Sequence, residues 1–160
     1  MITIIKTYSV YLVLLVLVAC AVPPEETPES IMQTTRSAVL NLPGATISSD
    51  GTMISYPDDN LFASGAVLPW PGGMEVLDPL IDLLLSNRQV TAAGVVRSSG
   101  HSPEYDQQLA DKRMELLLRI FSNRGIPEQQ VQLSAEVRDG APLEIEIQPM
   151  RDETSAGEKR

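Results

Sequence analysis

The 160-residue chain holds one cysteine, one histidine and one tryptophan, and aromatic residues make up only 4% of it. A single cysteine excludes an intramolecular disulfide and a thiolate-rich metal site. With no second histidine to join His101, zinc ligation has no ligand set, and His101 reads as a loop residue. Positive charge is scarce as well: 12 Lys+Arg stand against 21 Asp+Glu, a formal net charge of -9. No Lys/Arg run offsets this, so nucleic acid and anionic membrane are repelled rather than bound. A glycine-rich phosphate loop and a nucleophile elbow are also missing. Ser99 and Ser102 lie near His101, but no orienting acid completes a recognisable triad. The expectation is a non-enzyme without a cofactor or bound metal.

Long apolar runs are nearly absent too. The one exception extends from Val10 to Ala19, after a single positive charge at Lys6. It is shorter than the ~20 residues that span a bilayer, and it suits the core of a signal peptide. The lone cysteine, Cys20, follows directly. Leu17-Val18-Ala19-Cys20 resembles the lipobox of bacterial lipoproteins, in which the thiol is diacylated and the preceding peptide removed. That resemblance implies export, and Ala21 after the cysteine implies the outer membrane. The alternative is an uncleaved N-terminal anchor with an incidental cysteine. Residues 1–19 are therefore expected as signal peptide and 20–30 as an acylated cysteine plus tether. Three prolines and three glutamates between Ala21 and Ser30 cannot build a core. Fully extended at about 3.1 Å per residue, the tether reaches roughly 30 Å. Residues 149–160 are expected as a flexible tail.

Residues 31–148 have the patterning of one domain. Ile31, Ala38, Val39 and Leu42 mark a helix from about Ser30. Ser49-Asp50-Gly51 between β-prone runs predicts a hairpin. Val76 to Leu84 carries helical spacing, with Asp78 before Pro79 as a candidate cap. "QVTAAGVV" predicts a buried strand ending near Arg97. Ser102-Pro103-Glu104 opens a helix that Gly125 stops. Two alternating strands follow, parted by Asp139-Gly140. The order βαβαββ after the hairpin gives an α+β sandwich: one mixed sheet with two long helices on one face.

The second of these helices has an anomaly. At about 100° per residue from Tyr105, the residues Leu116, Leu109, Ile120 and Leu117 fall at about 20°, 40°, 60° and 120°. Arg113 falls at about 80°, inside the apolar stripe. Either its stem covers apolar surface while the head reaches solvent or Asp106, or it is aimed at something.

Four stretches, in order, resemble the C-terminal domain of the OmpA-like family. They are Asp59 to Gly65 with Leu68-Pro69-Trp70-Pro71-Gly72; Leu77; Tyr105 to Arg113, similar to Tyr-Asn-x-x-Leu-Ser-x-x-Arg; and Asn123 to Pro127. The match covers about residues 44–148. The resemblance implies a domain that binds the peptidoglycan stem peptide non-covalently, with the helix arginine, here Arg113, gripping the carboxylate of its diamino acid. A planar fork of donors suits that task. Combined with the acylated Cys20, it implies a lipid-anchored outer-membrane protein facing the periplasm. Its partners would be peptidoglycan, the membrane and other envelope proteins.

The sequence also departs from the family. The acid expected after the second strand is Arg97, Asp106 stands where the family has Asn, and Ala141-Pro142 replaces an arginine pair. Candidate ligand-binding residues are thus Arg113, Arg97, Tyr105 and Asp106. Arg97 is either a solvated strand-end residue or half of an anion site with Arg113, since two cations at close range need a charge between them. Asp106 is the substitute acid for an ammonium. Trp70 is expected as a packing anchor. The competing expectation is a degenerate module of an envelope complex that no longer binds wall.

Overall fold

The computed structural model describes residues 27–150. The expected signal peptide, Cys20 and most of the tether and tail lie outside the described residues. The first helix, α1 (Pro28–Val39), starts two residues before the expected Ser30. Its cap is Thr27, whose hydroxyl accepts from the Ser30 amide at 3.3 Å, with proline at the first helical position, where no N–H is needed. The hairpin follows as β1 (Thr46–Ile47) and β2 (Met53–Tyr56), then a one-turn α2 (Asp58–Leu61).

The next helix, α3 (Asp78–Ser86), begins later than its apolar pattern. Pro79 cannot donate to a preceding turn, so Val76 and Leu77 stay in turns. Asp78 is the first helical residue rather than the cap, and Leu77 caps without a side-chain bond. Then come β3 (Val90–Ser98), α4 (Pro103–Asn123), β4 (Val131–Val137) and β5 (Leu143–Pro149).

The five strands form one mixed sheet in the order β1-β2-β5-β3-β4, with only β3 and β4 parallel. Alternate residues of the central strands, among them Ile54, Tyr56, Val96, Ile145 and Ile147, point to one face. There they join Val39, Leu80, Leu84, Leu117 and Phe121 from the helices in a single core. The opposite face carries Ser55, Val95, Arg97, Gln132, Glu144 and Glu146, all partly or fully exposed to solvent. This is the expected α+β architecture, with α1, α3 and α4 on one face and α4, at 21 residues, the longest helix among the described residues.

Candidate functional site

Helix α4 is positioned at both ends by local chemistry. Ser102 Oγ accepts from the Tyr105 amide at 3.3 Å, and Pro103 takes the first helical position. At the other end Gly125 adopts φ +86°. Its amide donates to Ser122 O at 2.9 Å, and the Ile126 amide donates to Phe121 O at 3.0 Å. This left-handed cap satisfies the last carbonyls and packs Ile126 into the core with Phe121.

Between those caps the buried stripe runs Asp106, Leu109, Ala110, Arg113, Leu117 and Phe121. Arg113, only 4% exposed, sits at its middle. Its Nε donates to Ala66 O at 2.9 Å and its Nη2 to Ala63 O at 3.0 Å. Nη1 reaches the main-chain oxygen of Arg97 at 3.4 Å, and the guanidinium carbon lies 4.6 Å from the Phe62 ring centroid. The fork therefore clasps two segments distant in sequence, the loop after α2 and the end of β3. Tyr105 holds the same loop, its hydroxyl donating to Gly65 O at 2.9 Å. Three carbonyls within residues 63–66 are thus tied to α4.

These contacts shape a concavity of about 320 Å³ at the end of β3. Arg97 and Arg113 both line it, with Phe62, Trp70, Ser98, Ser99 and Gly140. The two guanidinium groups coexist there because Arg97 is already matched by acids. Its Nη1 pairs with Glu144, and its Nε lies 3.6 Å from Glu136, both carboxylates rising from neighbouring strands. Gly140, at φ +143°, lets the β4–β5 turn close over that arginine: a Cβ there would stand 3.3 Å from Arg97 Nη1.

Asp106 is buried beside the concavity and does not line it. It accepts from Ser98 Oγ at 2.9 Å, from the His101 amide at 2.9 Å and from His101 Nδ1 at 3.2 Å. Burial acts to raise its carboxyl, but the hydrogen bonds from His101 and Ser98, with the charge of His101, outweigh it and hold the group below the usual carboxylate range. The His101 ring in turn lies 4.8 Å from that of Tyr105. Asp106 thus fixes the β3–α4 loop, and Arg97 and Arg113 are the candidate residues brought together on the concave surface.

The lining residues Ser64, Gly65 and Ser98 are not among the candidates read from the sequence, although the stretch Asp59 to Gly72 carried part of the family resemblance, and Ser99 is weighed there only beside His101. Trp70, expected as a packing anchor, is instead 50% exposed on the wall of the concavity. Among the described residues, no group of three or more His, Cys, Asp or Glu is placed to hold a metal.

No family model matches the chain, and no curated protein does. Solved structures do. A MotB-like protein from Desulfovibrio vulgaris aligns with a TM-score of 0.57 and 21% identity, over 78% of this chain and 95% of its own. The periplasmic domain of Helicobacter pylori MotB gives 0.56 and 12%, over 72% and 86%. The cell wall anchor of the T6SS from Pseudomonas aeruginosa gives 0.52 and 11%, over 74% and 96%. At such identities the likeness is one of fold, and that fold is the OmpA-like one.

Proposed function

We infer that this OmpA-like domain binds the peptidoglycan stem peptide non-covalently and links the outer membrane to the cell wall. The observation that carries the reading is the Arg113 fork, buried, immobilised by backbone carbonyls and bordering a concavity open to a ligand. A donor group held rigidly at a cavity wall loses little entropy on meeting a carboxylate. Ser99 borders the same space and supplies a further hydroxyl donor, while Ser98, whose hydroxyl is bonded to Asp106, and Arg97, held by Glu144 and Glu136, complete the wall. Fold likeness to a structure described as a cell wall anchor supports the same reading.

Anchoring adds to this. In the proposed protein the thiol of Cys20 is acylated, at about 0.8 kcal/mol per buried methylene, and more than one chain gives a firm attachment. The Pro/Glu tether then keeps the domain near the membrane in the periplasm, where tethering raises the effective concentration of wall sites. Weak intrinsic affinity suffices.

A second reading, an envelope-complex module without wall binding, is favoured by one observation: Arg97 is engaged by Glu144 and Glu136 rather than reserved for a ligand. Co-sedimentation with purified sacculi separates the two. Wild type is expected in the pellet. Ser64→Trp, which fills the concavity from an exposed position, is expected in the supernatant at near-native melting temperature. Arg113→Lys, which keeps the charge without the fork, is expected there too but with a lowered melting temperature, because the bonds to Ala63 and Ala66 are lost. Wild type remaining in the supernatant, or Ser64→Trp pelleting as wild type does, contradicts wall binding. Loss of labelled acyl incorporation in Cys20→Ser tests the anchor.

A further inference from the structure

The two edges of the sheet are unequal. On one side β1 has two residues, too short to template another strand. On the other, β4 (Val-Gln-Leu-Ser-Ala-Glu-Val) runs for seven residues with an unbroken register to β3, and no strand pairs with its outer side among the described residues. It has no proline, lysine or bulge, the usual devices that protect an edge.

The hydrogen bonds at the two ends of the β3–β4 ladder fix which groups face outward. The Ala92 amide donates to Gln130 O, and the Arg138 amide donates to Ser98 O. The N–H and C=O of one strand residue point the same way, and the direction alternates along the chain. Even-numbered residues of β4 therefore face β3, and Val131, Leu133, Ala135 and Val137 turn their amides and carbonyls outward.

We propose that this edge pairs with the same edge of a second copy, antiparallel and centred on Ser134. Outward-facing residues must pair with outward-facing residues, and among the registers that allow this only the one centred on Ser134 uses the whole strand. It sets Val131 opposite the partner copy's Val137 and Leu133 opposite its Ala135 as hydrogen-bonded pairs. Gln132 then faces Glu136, an amide donor against a carboxylate, and Ser134 faces Ser134. A shift of the centre to Glu136 would instead oppose like charges, which destabilises a sheet pair.

The apolar side agrees with the backbone. A groove of about 580 Å³ beside β4 is lined by Leu118, Phe121, Ile126, Val131 and Leu133. Val137, 41% exposed in one copy, is the residue this register brings against the partner copy's Val131, at the groove. One isologous contact thereby covers both the open edge and the exposed valine. None of the residues lining the concavity lies on β4, so the pairing leaves both candidate sites open and does not depend on what they bind.

Single cysteines at Gln132, Ser134 and Glu136, each in the full chain carrying Cys20→Ser, test the register under mild oxidation. Only Ser134→Cys should give a species of twice the chain mass, because a non-hydrogen-bonded antiparallel pair places its Cα atoms within disulfide reach. Adding Ala135→Pro, which removes an outward amide without touching the β3 ladder, should abolish that species. Equal cross-linking at all three positions, none at Ser134, insensitivity to Ala135→Pro, or a Ser134 adduct with a different protein overturns the proposal.

Discussion

Arg113 shows how the position of a single residue can be legible while its partners are not. The helical wheel placed a guanidinium inside an apolar stripe, and the stripe is indeed centred on it. What the wheel could not supply was the identity of its acceptors, since Ala63 and Ala66 lie about fifty positions away and offer only backbone oxygens. The same holds for Arg97, whose partner Glu144 belongs to another strand. Asp106 read as a substitute ligand acid, and its three donors come from the end of β3 and the loop that follows it. Because its folded pKa is depressed, its contribution to stability is complete above the ordinary carboxylate range and fades as pH falls through the lower folded value. Asp106→Asn should therefore lower the melting temperature at neutral pH, and the gap to wild type should narrow in acid. Parallel melting curves from pH 7 to pH 2 would show that the carboxylate charge contributes nothing.

Elements were legible where their signals are local. The Ser102-Pro103 opening and the Gly125 stop of α4 are short-range chemistry, and both ends lie where that chemistry puts them. The hairpin turn was equally local. Asp50 accepts from Ser48 and from Thr52, which holds its carboxyl down to about 2. The insertion of β5 between β2 and β3 was not legible, because it depends on which distant strands bury each other's faces. Gly94 marks that meeting. A Cβ there would stand 2.7 Å from Leu133 Cδ2 and 2.9 Å from Glu144 O, on the central pair of strands. Gly94→Ala is expected to destabilise the domain by about 1–3 kcal/mol, the usual cost of overpacking, measured by urea denaturation. An unchanged midpoint would mean that β3, β4 and β5 are less tightly joined than their register implies.

At the scale of the whole molecule, an acidic chain places two arginines on one concave surface at the end of its sheet. The charge balance alone argued against polyanions and left room for a small anionic group, but only folding brings residues 62–65, 97–99, 113 and 140 together. The helices close one side of the sheet, the β4 edge stays open, and the concavity, walled in part by Arg113 of α4, includes no residue of that edge. Two domains paired along β4 would present two such concavities, and two weak sites on one wall polymer bind far better than one. The central claim is that the Arg113 concavity receives the carboxylate of a stem peptide. Titrating a soluble stem peptide into the isotopically labelled protein, read by the Arg113 Nε–H resonance and the amides of Ser98, Ser99 and Gly140, tests it most directly. Saturable shifts concentrated at those four positions are predicted; shifts confined to the open sheet face, or none at all, would contradict the account.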